Sequence, residues 1–293
     1  MKPTRPALRW HGGNWLIAPW IIGFFPPHRT YVEPFGGAAS VLLRKQRAYA
    51  EVYNDLDDSV VTLFRVLQDD EKSSRLHDLL KLTPFARSEF EIAWEPSTDP
   101  VEKARRLIIR SFMGFGSNAH NLDLGSKATG FRADSNKSGS TPARDWARYP
   151  DALASIVARM RGVVIEQRPA VSIIEKHDGE DVLHYLDPPY VPETRGLKNR
   201  YDPKHRYAHE MTVADHEALL GSALGLKGMV VLSGYATPLY EDALHDWGRF
   251  EKSTFADGAA PRTEVVWINP QAIQKLQRSK QEAFSFAPTG EQL

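Results

Sequence analysis

Three short segments of the 293-residue chain carry residue types that could do chemistry together. The first, Glu33-Pro34-Phe35-Gly36-Gly37-Ala38, follows the β-prone run Tyr31-Val32-Glu33 and precedes residues of helical composition. Paired glycines let the backbone turn tightly and let a ligand approach main chain where a side chain would collide. The segment is not a dinucleotide GxGxxG and lacks the basic residues of a phosphate cradle, so by itself it also reads as a structural turn. Next comes Asp55, closing Val52-Tyr53-Asn54. An acid at the end of a second strand can hold the paired hydroxyls of a ribose, or it can cap the helix that starts near Asp57, a job open to Asp57 itself. The third segment, Leu186-Asp187-Pro188-Pro189-Tyr190, ends an apolar run. Two prolines fix φ and remove two backbone donors, leaving a carboxylate and a carbonyl side by side with an aromatic ring after them.

That acceptor pair suits the exocyclic amine of a nucleobase, a weak nucleophile whose lone pair is delocalised into the ring. Asp187 Oδ and the Pro188 carbonyl, each taking one N–H, favour a pyramidal nitrogen with its lone pair outward, while Tyr190 offers a stacking surface. With a sulfonium methyl donor over the 35–38 turn, the chemistry is an in-line displacement helped by proximity and by a carboxylate facing the developing charge. Such a route needs neither metal nor cysteine. The chain has no Cys, which excludes disulfides, thiolate nucleophiles and Cys-ligated metals. His205 and His209 are four apart, but no third ligand is suggested nearby, and they read as exposed loop histidines.

To position these segments, the chain must supply strands that end at them. Strands are expected at 31–33, 49–53, 163–166, 182–186, 229–233 and 264–268, with helices at 38–47, 59–67 and 171–176. Successive strand–helix units imply parallel pairing in an α/β sheet. Between about 71 and 149 the pattern changes to helices at 74–82, 87–94 and 101–113 and a polar loop at 117–142, with no strand; this block interrupts the sheet. The residues beyond 270 read as a polar, peripheral tail.

A composition of 42% hydrophobic and 25% charged residues excludes dominant disorder. No run approaches the roughly 18 apolar residues of a membrane span, and the N-terminus lacks a secretory h-region, so a cytoplasmic chain is expected. Equal numbers of basic and acidic residues, 37 each, argue against coating nucleic acid by charge alone. Their distribution is uneven: residues 1–50 hold seven basic residues against one acid, 51–100 five against twelve, and 101–150 nine against four. Residues 195–209 hold five more against Asp202 alone. Each block also reads as an ordinary solvated face.

Taken in order, Glu33-Pro34-Phe35-Gly36-Gly37, Asn54-Asp55 and Asp187-Pro188-Pro189-Tyr190 resemble the Dam-type DNA adenine-N6 methyltransferases, many of them phage-borne. Arg9-Trp10-His11-Gly12-Gly13-Asn14 is similar to that family's Lys-Trp-x-Gly-Gly-Lys segment, with Arg9 and Asn14 standing for its lysines. Ser233-Gly234 and the run 262–269 are similar to its later strands. The resemblance implies a Rossmann-like, S-adenosylmethionine-dependent sheet over 1–70 and 160–275, an inserted, mainly helical target-recognition domain over 71–159, and a tail over 276–293. It implies a cofactor pocket of Trp10, Asn14, Glu33, Pro34, Phe35, Gly36, Gly37, Ala38, Asp55, Leu56 and Asp187, with Asp187, Pro188, Pro189 and Tyr190 as the catalytic set. Where the family often has an acid that contacts the cofactor adenine, Gln167 or Arg168 stands.

An adenine inside a duplex must be flipped out to reach such a site, so double-stranded DNA is the expected partner of a monomer or weak dimer. Arg105, Arg106 and Arg110 fall on neighbouring turns of one expected helix and offer phosphate contacts, or else a solvated face. Asn118, Asn121, Lys127 and Arg132 have side chains of the types that read G and A edges. Arg195, Lys198 and Arg200 follow the catalytic motif as a lid over the target strand. Alternatives left open are cytosine-N4 or RNA-base methylation, a catalytically impaired DNA-binding regulator of the same fold, and nucleotide binding without methylation.

Overall fold

The computed structural model describes residues 2–10, 12–115, 129–133, 140–191, 209–255 and 261–285. Its elements run α1 (Ala18–Ile22), β1 (Thr30–Glu33), α2 (Ser40–Arg44), β2 (Ala50–Asn54), α3 (Asp58–Gln68), α4 (Asp70–Leu82), α5 (Arg87–Ile92) and α6 (Pro100–Met113). Then follow α7 (Pro142–Ala147), α8 (Tyr149–Met160), β3 (Val163–Glu166), α9 (Ala170–Lys176), β4 (Val182–Leu186), α10 (Val213–Gly225) and β5 (Met229–Gly234). The chain ends with α11 (Pro238–Ala243), β6 (Gly248–Phe255), β7 (Pro261–Ile268) and α12 (Pro270–Ser285). No helix among the described residues is long and apolar enough to cross a membrane.

All seven strands join one sheet in the order β3-β2-β1-β4-β5-β7-β6. The first five pair in parallel, and β7 runs antiparallel to both β5 and β6. From β1 the chain winds outward through β2 and β3, then returns to place β4 on the other side of β1. Strand order therefore reverses between β1 and β4, and the crevice beyond the carboxyl ends of strands at such a point is where open α/β sheets bind ligands. Glu33, Asp55, Asp187 and Ser233 all stand at or just past the carboxyl ends of β1, β2, β4 and β5.

Both sheet faces are covered, as expected for parallel strands. One cluster joins Tyr31, Tyr53 and Tyr185 of the sheet to Leu63 and Phe64 of α3 and to Leu76, Leu80, Phe90, Leu107, Phe112 and Leu153 of α4, α5, α6 and α8. The helical block thus shares a buried core with the sheet. The opposite face packs Ile174 of α9, Leu219 and Leu220 of α10 and Tyr240 of α11 against Leu186, Leu232 and Trp267. A buried ion triad ties helices to strand: Glu51 of β2 accepts from Lys45 Nζ at 2.7 Å and from Arg159 of α8 at 2.5 and 2.8 Å.

One expectation needs correction. Residues beyond 270 are not a simple tail: α12 extends to Ser285, with Ala272 fully buried and Ile273 packed on the core. Asn269 Oδ1 starts that helix by accepting from the Ala272 N–H at 3.0 Å. As expected, the described residues of the block 71–149 form no strand; Gly114 and Phe131 meet in an isolated antiparallel bridge.

Candidate active site

The turn after β1 is built around packing that tolerates only glycine. A Cβ on Gly36 would lie 2.1 Å from the Tyr53 ring. Gly37 has φ +45°, and a Cβ there would lie 2.6 Å from Trp10 Nε1. Asp55 fixes the turn from the neighbouring strand end, accepting from the Gly37 N–H at 2.7 Å and the Asp57 N–H at 2.8 Å. Asp57, not Asp55, caps α3 by accepting from the Ser59 N–H at 2.8 Å, which removes the capping role left open for Asp55.

Asp187 is held by a closed ring of hydrogen bonds. Ser233 Oγ donates to Asp187 Oδ1 at 2.9 Å, and Asn14 Nδ2 donates to Asp187 Oδ2 at 2.8 Å. The same amide donates to the Tyr185 hydroxyl at 3.0 Å, which lies 2.9 Å from Ser233 Oγ. Ser233 has one proton and gives it to the carboxylate, so Tyr185 must donate to Ser233 and accept from Asn14. With Asp187 ionised, only one proton order satisfies the ring. Each Asp187 oxygen keeps one lone pair for a further donor.

These segments open on a common cavity of about 330 Å³. Its wall includes Trp10, Asn14, all of Glu33 to Ala38, Asp55, Leu56, Tyr185, Asp187, Pro188 and Pro189. Every residue expected to bind a cofactor therefore borders one space, together with three of the four expected catalytic residues. Tyr190 is turned elsewhere: its hydroxyl donates to Glu264 Oε1 at 2.8 Å, and its ring packs on Tyr235 with centroids 4.3 Å apart.

Burial raises the acids around this space. It pushes Glu33 up to about 8, although the Tyr31 hydroxyl donates to it at 2.6 Å. It lifts Asp55 to about 6 against the two backbone N–H groups, and Glu264 to about 7. Asp187 stands well above the usual carboxylate range because of burial and then the nearby Glu264, with Ser233 pulling the other way. A cation bound beside such acids lowers their pKa and favours the charged form.

Several wall residues escaped the sequence reading. Pro169, Ala170 and Val171, not Gln167 or Arg168, line the side facing Leu56; the Gln167 amide donates to the Leu56 carbonyl at 3.3 Å. His209, Glu210, Met211, Asp215, Ala218 and Leu219 close another side from the start of α10. That helix begins with a reciprocal Thr212–Asp215 capping box, a Thr-x-x-acid signal that was available in the sequence.

The arginines of α6 do not form a free basic face. Arg110 is 2% exposed, and its Nη1 donates to the Ala93 carbonyl at 2.5 Å, so a phosphate contact from it is ruled out in this structure. Arg105 is spent on Glu102, Glu89 and the Thr83 hydroxyl, and Arg106 on Glu102 and the carbonyls of Glu95 and Pro96. Their charges lock α6 to its neighbours. Arg132 is partly exposed beside the Gly114–Phe131 bridge, its backbone N–H donating to the Met113 carbonyl at 2.7 Å. Asn118, Asn121, Lys127, Arg195, Lys198, Arg200 and His205 lie outside the described residues.

Compared with known proteins, residues 10–251 match the model of one family, the D12 class N6 adenine-specific DNA methyltransferases. The comparison with curated proteins returned no match.

Proposed function

We propose, since the chain belongs to the D12 class of N6 adenine-specific DNA methyltransferases and is thus an enzyme that methylates adenine in DNA, that its methyl donor is S-adenosylmethionine and its substrate an adenine flipped from duplex DNA. The observation that carries this reading is the shared cavity, bordered at once by the glycine turn and by Asp187-Pro188-Pro189. Glu33, Asp55 and Asp187, raised by burial, face the space a sulfonium ligand would occupy. Asp55 at the end of β2 suits the ribose hydroxyls, Leu56 and Val171 the faces of an adenine ring, and Trp10 with Phe35 the remaining apolar surface. When bound, the cofactor supplies an electrophilic methyl group.

The chain's own residues do the rest. Asp187 Oδ and the Pro188 carbonyl each accept one N–H of the adenine amine and turn its lone pair toward the methyl. With the cofactor as methyl donor and its thioether as leaving group, positive charge would grow on the amine nitrogen as it takes up the methyl, and the Asp187 carboxylate would oppose that charge. The surplus proton passes to Asp187 Oδ. Asn14 and Ser233 fix the carboxylate so that it needs no reorientation in the transition state. Asn14 is thereby assigned to Asp187 as well as to the cofactor pocket. For DNA, the basic side chains of Lys127, Arg132, Arg195, Lys198 and Arg200 supply phosphate or base contacts, and Asn118 and Asn121 base contacts; Arg105 and Arg106 serve to hold the helical block together.

The test is a transfer assay with methyl-labelled S-adenosylmethionine on duplex DNA, single-stranded DNA and RNA, followed by nucleoside analysis. N6-methyladenine formed preferentially in duplex DNA is the expected product. N4-methylcytosine, methylated RNA, or calorimetry showing no affinity for S-adenosylmethionine would overturn the proposal.

A further inference from the structure

Strand β6 ends the sheet order, so its outer edge has no strand beside it among the described residues. The edge runs over eight residues, Gly248–Phe255, and its first half pairs with the part of β7 that β5 holds from the other side. A free edge of this length presents a row of N–H and C=O groups to any other strand, and proteins commonly guard such edges with charges. Here the guard is of both signs: Arg249, Glu251 and Lys252 stand around Phe250. Successive residues of a strand alternate between its faces. On one face Arg249 donates to Glu241 Oε1 at 2.8 Å and pairs with Glu251 at 2.7 Å. On the other, Phe250, 42% exposed, packs on Phe24 with centroids 4.7 Å apart. Phe24 packs in turn on Trp20 at 5.3 Å, and the Lys252 ammonium stands 5.6 Å from the Trp20 ring. An aromatic patch thus reaches the sheet edge between opposite charges.

We propose that the outer edge of β6 pairs antiparallel with β6 of a second copy of this chain, in the register that sets Phe250 against Phe250 of the copy. The two-fold axis relating two antiparallel edge strands of one sheet is normal to that sheet, so every residue keeps its face and opposes one an even number of places away. Charge then selects the register. An axis through Arg249, Glu251 or Lys252 sets a charge against its own copy, which is destabilising. An axis through Phe250 sets Arg249 against Glu251 of the copy and Glu251 against Arg249 of the copy, two opposite-charge pairs flanking an aromatic one. Lys252 then faces Gly248, where no side chain competes for room. A guanidinium has five N–H donors, so Arg249 can meet the copy while keeping its bond to Glu241. The same axis points the carboxyl ends of the two sheets in opposite directions. The cavity at β1 and β4 lies behind β7 and β5 as seen from β6, so each copy keeps its own site open. The inference is independent of the methyl-transfer reading.

Sedimentation equilibrium of the full chain, from micromolar concentrations upward, should show a monomer–dimer equilibrium. Arg249→Glu and Glu251→Arg each set like charges opposite one another twice in a dimer, and each should raise the dimer Kd about tenfold or more. An equimolar mixture of the two variants restores both pairs, so it should dimerise about as tightly as the parent, and so should the chain carrying both changes. Cross-linking gives a second measurement. The chain has no Cys, so Phe250→Cys supplies its one thiol, set by the register against its own copy. Directly opposed residues of antiparallel strands have Cα atoms roughly 4.5–5.5 Å apart, within disulfide reach. Under mild oxidation this variant should form a covalent dimer several-fold faster than Lys252→Cys, whose thiol faces Gly248. A chain that stays monomeric to its solubility limit overturns the proposal, and so does a dimer whose Kd ignores both charge reversals. A mixture of folded variants that recovers no more than either alone also overturns it, as does Phe250→Cys cross-linking no faster than Lys252→Cys. Should a charge variant fail to fold by circular dichroism, the cross-linking rates decide alone.

Discussion

Asp187 is useful only if its two oxygens face a fixed direction, and that direction is imposed by residues far from it in sequence. Asn14 holds one oxygen and Ser233 the other, while Tyr185 closes the ring between them. A hydrogen bond to a charged group contributes on the order of 1.5–3 kcal/mol, so losing one should slow transfer by about 10- to 100-fold. Asn14→Ala and Ser233→Ala are each expected to show that loss in single-turnover methylation. Because both act on one carboxylate, the double variant should lose less than the product of the two. Multiplicative effects would mean that the two bonds act independently of a shared orientation. Asp187→Ala should abolish transfer while DNA binding, measured by gel shift, survives. The glycine turn makes a different prediction. Gly36→Ala puts a carbon 2.1 Å from the Tyr53 ring, which packs on Phe64, and nothing there can yield cheaply. Overpacking of this kind costs roughly 1–3 kcal/mol, and the variant should melt several degrees below the parent and bind the cofactor weakly.

At the scale of elements, the sheet is pinned to its helices by Glu51, which sits 2% exposed between Lys45 and Arg159. Removing the carboxylate leaves two buried cations without their shared counter-charge, Lys45 keeping only the Gln46 carbonyl at 2.7 Å and the Tyr31 ring. Glu51→Ala should therefore cost about 3–5 kcal/mol, read as a lower denaturation midpoint in urea. A small change would mean that Lys45 and Arg159 find water or other acceptors. Legibility in the sequence follows the same physics. Strand β5 was readable because burial on both faces demands an unbroken apolar run, Met229-Val230-Val231-Leu232, whereas β3, at a sheet edge with Val164 half-exposed, was readable from its β-branched residues. Strand β6, at the other edge of the sheet, carries no such run: Glu251-Lys252-Ser253-Thr254 lies between Phe250 and Phe255. The Asp187-Pro188-Pro189-Tyr190 corner was legible because its composition is chemically costly for a plain turn. The Asn14–Ser233 clamp was not, since its members meet only when the N-terminal segment crosses the ends of β4 and β5. Arg110 misled for a related reason: a helical spacing shows which residues share a face, and only packing shows whether that face is wet.

For the whole molecule, the acids gathered at the carboxyl ends of the strands set a pH dependence that can be stated with its sign. Glu33 is fully buried and held at about 8, above the ordinary 4.5, so between those values the folded chain keeps a proton that the unfolded chain has lost. Stability from this group is complete below about pH 4.5 and falls as pH rises through about 8. Glu264, at about 7, adds to the same trend. Buried histidines oppose it on the acid side: His184, lowered to about 4, resists the proton that the unfolded chain takes up below its ordinary 6.5. Raw melting curves therefore mix the two. Comparison with Glu33→Gln cancels the histidine share, because only Glu33 differs. Going from pH 8.5 to 6.5, the parent should gain on the order of 2 kcal/mol relative to Glu33→Gln, seen as a shift of about 4–8 °C in the gap between their melting temperatures. A gap independent of pH would show that Glu33 titrates as an ordinary carboxyl. Saturating S-adenosylmethionine should shrink the same pH dependence, since a sulfonium near Glu33 favours its charged form and draws the proton off at lower pH.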